Sequence, residues 1–282
     1  MFANDLLKGK TALITGGGTG LGKAMAKRYM ELGAIVYICG RREEVLKATQ
    51  AELQSATGGQ LEIFTCDVRD SAAVETSIAQ IWEKHPLDIV INNAAGNFLS
   101  RTEDLSPRAF EAVIGIVLTG TINVTMSCGR RWLAEKRKGI VINIVATYAS
   151  SGSGSAYVVP SAVAKAGVLS LTRSLAVEWG PRGIRMNAIS PGPVPTEGAF
   201  SRLLPKKELE QLAIRRVPMR RFGKPEEIAN LAVFLGADGA EYINGEVVTM
   251  DGGEWLQGAG EFSHLGQMMT DADWEMFRPK KK

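Results

Sequence analysis

Residues 139–180 read GIVINIVATYASSGSGSAYVVPSAVAKAGVLSLTRSLAVEWG, and this stretch decides the fold. The apolar run at 140–145 predicts a buried strand, and the small and polar residues at 149–156 predict a loop. A long helix is predicted to begin near Pro160, because the first turn of a helix tolerates a residue without an N–H. A buried strand followed by a long helix is the repeating unit of a parallel α/β sheet.

Three polar side chains of this stretch are predicted to meet in one crevice. Ser161 and Lys165 are four residues apart, so they share one face of the predicted helix. Tyr148 follows the predicted strand by three residues. Open α/β sheets bind ligands at the carboxyl ends of their strands. Tyr148, Ser161 and Lys165 are therefore the first candidates for functional residues.

Composition and charge exclude several kinds of partner. The 282 residues are 45% hydrophobic, which is enough for a sizeable core. Lysine and arginine total 33, and aspartate and glutamate total 30, so the net charge of +3 creates no strong field for nucleic acid or an anionic membrane surface. No apolar run of membrane-spanning length and no targeting segment is recognised. We therefore expect no nucleic acid partner and no membrane.

Cysteine and histidine usage points to a reducing compartment and to no metal. Cys39, Cys66 and Cys128 are odd in number and far apart in the sequence, which is typical of reduced cysteines in a cytoplasmic protein. His85 and His264 have no ligand spacing around them, so we expect no metal site.

A glycine-rich turn follows the first predicted strand. The strand at 10–15 leads into GGGTGLG and then into a helical pattern at 23–32. Glycines let the backbone approach a pyrophosphate closely, and a helix N-terminus offers it free N–H groups. The spacing differs from the common G-x-G-x-x-G, so a plain glycine-rich turn stays open as an alternative. The candidate cofactor-binding residues here are Gly16, Gly18, Thr19, Gly20 and Leu21.

Charged residues follow the next two predicted strands, at 34–39 and 61–66. An arginine after the second strand of a dinucleotide-binding fold accommodates a ribose 2′-phosphate, whereas an acidic residue there binds the 2′-hydroxyl. Arg41 therefore favours NADP over NAD, and the alternative is that it only opens a solvated helix. Asp67 is placed to accept a hydrogen bond from an adenine amino group. Position alone favours Arg69 as a solvated loop arginine.

Two further loops are predicted to line the crevice. After the fourth strand, at 88–91, Asn93 can tie its loop to neighbouring strands, and the Asn97 amide can point into the crevice. The sixth strand, at 185–189, ends in a rigid Pro/Gly-rich segment that we expect to wall off the nicotinamide end of a cofactor. Its candidate cofactor contacts are Pro191, Gly192 and Val194.

Strands alternate with helices along the chain, without an internal repeat or a break in composition. This pattern predicts the α/β class, with a single doubly wound, Rossmann-like domain of about seven parallel strands over residues 1–255. Residues 196–222 are predicted to form a helical lid, whose basic side chains either face an anion or form a solvated helical face. Residues 256–282 form a tail without a recognisable motif.

The motifs TGGGTGLG, CDVRD, NNAAG, PGPVPT and DGG occur in order across nearly the whole chain. Together with Lys165 they make the sequence resemble the short-chain dehydrogenase/reductase family. Two positions depart from the family pattern. Ser161 replaces the tyrosine of the usual Tyr-x-x-x-Lys signature, and Val117 stands where the family usually has a catalytic asparagine.

The serine changes the chemistry that the resemblance implies. A serine hydroxyl is a much weaker acid than a tyrosine whose pKa a lysine has lowered, so Ser161 is poorly suited to protonate a carbonyl oxygen. Reduction of a conjugated carbon–carbon double bond instead places charge on a distant thioester oxygen, which needs hydrogen-bond donors. The sequence resembles the branch of the family that reduces 2,4-dienoyl-CoA thioesters with NADPH in the β-oxidation of unsaturated acyl chains. A homotetramer is implied by the same resemblance.

This resemblance implies a role for each matching residue. Tyr148 and Asn97 are expected to donate hydrogen bonds to the thioester oxygen, and Ser161 and Lys165 are expected to hold the cofactor. These four are the implied catalytic residues, and Arg41 is implied to bind the NADP phosphate. Acyl-CoA is the implied substrate, and the positions that match its contacts are Arg69, Phe98, Ser106 and Arg202.

Three alternatives stay open. Tyr157 lies in the same loop as Tyr148 and competes for the role of substrate contact, although we expect it to pack against the protein. The chain is alternatively a carbonyl reductase, acting on a 3-ketoacyl thioester or forming an alcohol, that uses one of these tyrosines as its acid. It is also alternatively a non-catalytic NADP-binding protein, because loss of the usual tyrosine is one way for a reductase to lose activity.

Overall fold

The computed structural model describes residues 1–97, 99–150, 154–196 and 207–259, together with Thr270 and Ala272. Seven strands form one sheet in this part of the chain. They are β1 (Thr11–Thr15), β2 (Ile35–Gly40), β3 (Leu61–Thr65), β4 (Ile89–Asn92), β5 (Gly139–Ile144), β6 (Ile184–Pro191) and β7 (Val247–Met250).

The strands run in the order β3-β2-β1-β4-β5-β6-β7, and every neighbouring pair is parallel. The order reverses between β1 and β4, so the carboxyl ends of these two strands diverge into different loops. A crevice at such a switch point is where doubly wound sheets bind their ligands. The predicted doubly wound fold with seven parallel strands is confirmed.

Nine α-helices are described between and after these strands. They are α1 (Gly20–Glu31), α2 (Glu43–Thr57), α3 (Ser71–Lys84), α4 (Pro107–Ile114), α5 (Gly120–Ala134), α6 (Val159–Trp179), α7 (Lys207–Arg216), α8 (Pro225–Gly236) and α9 (Glu254–Ala259).

Helices cover both faces of the sheet, because alternate strand side chains point to opposite faces. On one face Ile14 packs in a core cluster with Met25 of α1 and Ile228 of α8. On the other face Leu13 packs in a second cluster with Trp132 of α5. Burial on both faces explains why the strands read as almost continuous apolar runs in the sequence.

The apolar seam of residues 109–131 predicts one long helix, which the structure interrupts. A π-helical turn at Gly115–Thr119 separates α4 from α5. Glycines let the loop after β3 pack closely against this turn: a methyl group at position 120 would lie 2.5 Å from Val68 Cγ2, and one at position 115 would lie 3.3 Å from Arg69 Cδ. Periodicity alone does not reveal such a turn, and turns of this kind are frequent at functional sites.

The helical stretch Pro107–Ala134 is long and apolar enough to cross a membrane by length and composition alone. The expectation that no apolar run reaches that length is therefore wrong. Core helices of soluble proteins pass the same test, and half of the most apolar part of this stretch is buried inside the fold.

Candidate active site

The glycine-rich turn between β1 and α1 forms a cradle at the switch point. Gly16 and Gly20 have φ angles of +66° and +54°, which side chains rarely adopt. A methyl group at Gly22 would lie 2.4 Å from the Gly16 carbonyl oxygen. The N-cap residue of α1, Thr19, makes no side-chain capping hydrogen bond to the first turn. Close backbone packing and an N-terminus without a side-chain cap suit the pyrophosphate of a dinucleotide.

Two of the five predicted residues in this turn also have structural contacts. The Gly18 carbonyl accepts a hydrogen bond of 2.8 Å from the Thr49 hydroxyl of α2. Leu21 is partly buried against the core cluster that contains Met25. These contacts hold the glycine-rich turn between β1 and α1 against α2 and the core.

Asn93 joins the loop after β4 to the glycine turn. Its side-chain amide donates to the carbonyl oxygens of Thr15 and Gly16 at 3.0 and 3.3 Å. The Thr15 hydroxyl in turn accepts from the backbone N–H groups of Asn93 and Ala94 at 3.0 and 2.9 Å. The predicted link to a neighbouring strand is therefore present, and it holds the loop after β4 against the glycine-rich turn.

Charged residues lie at the carboxyl ends of β2 and β3, as the sequence predicts. Arg41 is exposed directly after β2, at the position that accommodates a 2′-phosphate in dinucleotide folds. Asp67 follows β3, and its carboxylate is bonded to the Arg69 guanidinium, with the shortest contact at 2.6 Å. That contact is the first cause of a lowered Asp67 pKa. Arg69 is exposed in its loop, as its position predicts, and its guanidinium is also paired with Asp67.

The segment 191–196 runs from the end of β6 back to the glycine turn. The Gly192 N–H donates to the Met250 carbonyl of β7 at 3.0 Å. Val194 packs against Gly223, where an added methyl group would lie 3.0 Å from Val194 Cγ2. At the far end, the Thr196 side chain lies beside Gly20. The segment therefore spans the carboxyl edge of the sheet on the side of α1.

Tyr148, Ser161 and Lys165 are brought together at the carboxyl end of β5. Tyr148 lies in a short 3-10 turn at Thr147–Ala149, and its hydroxyl is 3.0 Å from Ser161 Oγ. Ser161 and Lys165 lie one turn apart on α6, and both are buried. The Lys165 ammonium donates a hydrogen bond to the carbonyl of Ile144, the last residue of β5.

Burial changes the proton affinities of two of these groups. Burial raises the pKa of Tyr148, and the hydrogen bond with Ser161 opposes that effect. The phenol is therefore a neutral hydrogen-bond donor at physiological pH. Burial lowers the pKa of Lys165 from 10.5 to about 8, so its ammonium is protonated at pH 7 and loses its charge in mildly alkaline solution.

The structure describes two of the remaining predicted substrate contacts, Asn97 and Ser106. Asn97 is half-buried and lies five residues after β4, on the same edge of the sheet as Tyr148. Ser106 is the N-cap of α4, and its hydroxyl oxygen accepts from the Ala109 N–H at 3.2 Å. Phe98 and Arg202 lie outside the described residues.

Tyr157 does not pack in the core, so that expectation is wrong. Its side chain is 59% exposed and its φ angle is +66°, which is uncommon for a residue with a Cβ atom. The Tyr157 carbonyl accepts a hydrogen bond of 3.0 Å from the Ser100 N–H. This backbone contact joins the two loops and leaves the phenol at the surface.

Ser190 is a further candidate that the sequence patterns did not indicate. It lies at the carboxyl end of β6, directly before Pro191, and is fully buried. Its hydroxyl has no hydrogen-bond partner among the described residues. Buried polar atoms are nearly always paired, so an orphaned hydroxyl at this edge fits a site that receives a polar ligand. A serine inside the otherwise apolar run AISP was the available signal.

The described residues hold no group of three or more His, Cys, Asp or Glu side chains placed to bind a metal. Val117, at the position of the family's asparagine, is buried in a core cluster with Ala164 of α6. No polar side chain occupies that position.

A family model described as Enoyl-(Acyl carrier protein) reductase matches residues 16–254. The chain belongs to the short-chain dehydrogenase/reductase family. As a member of this family the protein is an oxidoreductase with a nicotinamide cofactor, and the cradle, the uncapped α1 N-terminus and the orphaned Ser190 hydroxyl fit such a group.

Named relatives of this short-chain dehydrogenase/reductase cover nearly the whole chain. An uncharacterised oxidoreductase of Caenorhabditis elegans is 49% identical over 95% of this chain and 87% of its own length. A probable 2,4-dienoyl-CoA reductase of the same organism, named as (3E)-enoyl-CoA-producing, is 46% identical over 97% of this chain and 88% of its own. A probable 2,4-dienoyl-CoA reductase of Bacillus subtilis, named as (2E)-enoyl-CoA-producing, is 49% identical over 88% of this chain and 97% of its own length.

Solved structures of short-chain dehydrogenases share the fold. One from Bacillus anthracis has a TM-score of 0.80 at 45% identity and covers 88% of this chain and 97% of its own. A putative 2-deoxy-D-gluconate 3-dehydrogenase from Agrobacterium tumefaciens was solved with bound NADP. It has a TM-score of 0.82 at 31% identity, and the match covers 90% of this chain and 99% of that structure's chain.

Proposed function

We propose that this protein reduces the conjugated diene of 2,4-dienoyl-CoA thioesters with NADPH. The observation that carries the proposal is the Tyr148–Ser161 hydrogen bond of 3.0 Å, one helical turn from Lys165. A serine occupies the position of the family's acid, and the phenol approaches the same place from the loop after β5. The relatives named as 2,4-dienoyl-CoA reductases support this proposal at 46% and 49% identity.

The chemistry of a dienoyl thioester suits this arrangement. The bound cofactor supplies a hydride, which forms a new C–H bond at the far end of the diene. The electron pair of the π system moves toward the thioester, and negative charge collects on its oxygen. A proton from solvent then forms the second C–H bond on carbon, so the thioester oxygen never has to be protonated. The residues around that oxygen need to donate hydrogen bonds only.

Tyr148 and Asn97 are the proposed donors to the thioester oxygen. The raised pKa of Tyr148 favours this role, because a phenol that holds its proton strongly donates a hydrogen bond without transferring the proton. The same property disfavours a carbonyl reductase in which Tyr148 is the acid. Ser161 holds the phenol in place through their shared hydrogen bond.

Lys165 and Arg41 are the proposed charged contacts of NADPH. The buried Lys165 ammonium is fixed by the Ile144 carbonyl, and its remaining N–H groups are available to a ribose hydroxyl. The exposed Arg41 guanidinium suits a 2′-phosphate, since a guanidinium forms charge-assisted bonds to phosphate oxygens. Gly16, Gly20, Pro191, Gly192 and Val194 are proposed to shape the rest of the cofactor site.

The acyl-CoA contacts stay predictions. Phe98, Ser106 and Arg202 are proposed to contact the substrate, with Ser106 also capping α4. The homotetramer, the cytoplasmic location and the division into a domain, a lid and a tail also stay predictions.

The test is NADPH oxidation, followed by absorbance at saturating cofactor, with a 2,4-dienoyl-CoA and a 3-ketoacyl-CoA of equal chain length. We expect turnover of the dienoyl thioester, one NADPH consumed for each thioester, and little turnover of the ketone. Ketone turnover without dienoyl turnover would establish a carbonyl reductase, and NADPH binding without turnover of either would establish a non-catalytic protein. Because the names of two relatives differ in the product, the product double bond should be located by NMR.

A further inference from the structure

A backbone hydrogen bond joins the two loops that carry the proposed donors to the thioester oxygen. One loop leads from β4 to α4 and contains Asn97, and the other leads from β5 to α6 and contains Tyr148. The Ser100 N–H of the first loop donates to the Tyr157 carbonyl of the second at 3.0 Å. Because β4 and β5 are parallel neighbours, both loops start from the same edge of the sheet.

Tyr157 makes this contact from an unfavourable backbone conformation. Its φ angle lies in the left-handed region, where a Cβ atom crowds the following carbonyl oxygen. The side chain is mostly exposed, so burial of the phenol does not offset the cost. A residue with a Cβ atom keeps such a conformation where its surroundings hold it, and such residues cluster at functional sites. The conformation of Tyr157 therefore points to a role for its backbone, which the phenol does not share.

The start of α6 holds the Tyr157 carbonyl in place. The next residue, Val158, is buried and is the N-cap of α6. Ser161, in the first turn of the helix, is buried as well, and its hydroxyl is bonded to that of Tyr148. The first turn of α6 and the residue before its cap therefore contact both loops. Tyr148 is reached through a side chain, and Ser100 is reached through a backbone carbonyl.

The loop that contains Asn97 is held on both sides of that residue. Four residues before it, the Asn93 amide donates to the Thr15 carbonyl at 3.0 Å and so fixes the loop to the glycine-rich turn. Three residues after it, Ser100 is bonded to Tyr157. Loss of this second contact would release the loop on the side of α6 and loosen the placement of Asn97 relative to Tyr148.

We propose that Tyr157 is a positioning residue for the reaction and acts through its backbone carbonyl. Its left-handed conformation presents the carbonyl to Ser100, and the resulting bond holds the Asn97 amide in register with the Tyr148 hydroxyl. Donors stabilise a developing charge most when they are fixed in place before the reaction. The inference rests on the proposed function and adds to it a residue whose side chain takes no part.

Two substitutions of Tyr157 separate its backbone conformation from its side chain. A β-branched residue is strongly disfavoured at a positive φ, whereas asparagine adopts it more readily. Tyr157→Ile should therefore lower kcat for a 2,4-dienoyl-CoA about 3- to 10-fold, the range for loss of one positioning hydrogen bond. The dissociation constant of NADPH should not change. Tyr157→Asn also removes the ring, but it should keep kcat close to the wild-type value.

Tyr242→Ile is the matched control. Tyr242 is a fully exposed tyrosine in the segment before β7, at the amino ends of the strands and so opposite the crevice. The same substitution there should leave kcat at the wild-type value. Equal losses in Tyr157→Ile and Tyr242→Ile would contradict a role that belongs to position 157.

A double-mutant cycle separates positioning from a general structural effect. In an Asn97→Ala background, Tyr157→Ile should lower kcat no further, because the loop then carries no amide to place. A substitution that only damages the fold would lower kcat by the same factor in both backgrounds.

Hydrogen exchange of the peptide that contains Ser100, followed by mass spectrometry, reads the contact itself without any thioester. Exchange should be faster in Tyr157→Ile than in the wild type and in Tyr157→Asn. The proposal is overturned by unchanged exchange, by a wild-type kcat in Tyr157→Ile, or by an equal loss in the Asn97→Ala background. Failure of the proposed function gives a different result: the wild type reduces no dienoyl thioester, while the exchange rates still decide whether Tyr157 holds the loop.

Discussion

The Tyr148 hydroxyl lies 3.0 Å from the Ser161 hydroxyl oxygen, and this contact fixes the direction of both groups. Each hydroxyl has one proton, so only one of the two can donate to the other. When Tyr148 donates to a thioester oxygen, Ser161 must donate to Tyr148. The serine is then an orienting partner of the phenol, which explains how a residue too weakly acidic to protonate a substrate can still matter at this position.

Replacing Ser161 with alanine should lower kcat about 3- to 10-fold, the effect of one hydrogen bond that positions a reacting group. The KM for NADPH should change less, because the phenol that Ser161 orients is proposed to contact the thioester and not the cofactor. Steady-state kinetics with a 2,4-dienoyl-CoA measure both values. A variant with wild-type kcat would show that Ser161 does not orient Tyr148.

Lys165→Met should make the fold more stable at pH 7, by about 1–3 kcal/mol, while weakening NADPH binding. The pKa of Lys165 is lowered by burial from 10.5 to about 8, so below pH 8 the folded wild type carries a buried charge that the unfolded chain solvates. Between pH 8 and 10.5 the unfolded chain binds more protons than the folded one, and wild-type stability rises with pH. The advantage of the variant should therefore shrink over this range.

Urea unfolding of both proteins at pH 7 and pH 9.5 measures that difference in unfolding free energy. At each pH the unfolding free energy of the wild type is subtracted from that of the variant. This subtraction cancels the contribution of the groups that titrate in both proteins. A difference that stays constant with pH, or a variant that is less stable at pH 7, contradicts the assignment of a buried ammonium at position 165.

Arg41→Ala should weaken NADPH binding about 10- to 100-fold and leave NADH binding nearly unchanged, because only NADPH carries the 2′-phosphate. Lys47→Ala is the matched control, since it removes one exposed cation from α2, the helix that follows Arg41. Calorimetric titration with both cofactors gives the two dissociation constants. Equal losses for NADPH and NADH would remove Arg41 from phosphate recognition.

Gly139→Ala should destabilise the fold by about 1–3 kcal/mol through overpacking. The added methyl group would lie 2.3 Å from the ring of Trp132, which is fully buried. Gly154→Ala serves as the control, because none of the residues that the structure describes lies within 4 Å of the added group there. Chemical denaturation of the two variants should separate them clearly, and equal midpoints would contradict the packing of β5 under α5.

Much of the fold could be predicted because apolar runs and turns are local signals. The strand at 140–145 and the helix beginning near Pro160 lie within one residue of the observed β5 and α6. The π-helical turn at Gly115–Thr119 could not be predicted, because the loop after β3 packs against Gly115 and Gly120. That loop is far from these glycines in the sequence and meets them only in the folded chain.

The candidate site was predicted less completely, for the same physical reason. The sequence predicts that Tyr148, Ser161 and Lys165 share one crevice. No spacing rule shows that the Tyr148 hydroxyl bonds to Ser161 or that Arg69 folds back onto Asp67. The exposure of Tyr157 depends on a backbone contact with a different loop, through the Ser100 N–H. Contacts between loops are tertiary properties, and sequence patterns describe them poorly.

The measurement that tests the central claim most directly is the turnover of a 2,4-dienoyl-CoA by Tyr148→Phe, with Tyr157→Phe as the matched control. Removing the Tyr148 hydroxyl should lower kcat by about 10- to 1000-fold, as loss of an oxyanion donor does, with the dissociation constant of NADPH unchanged. Tyr157→Phe should keep wild-type activity, because its phenol lies at the surface. Wild-type turnover by Tyr148→Phe, together with an inactive Tyr157→Phe, would contradict the account.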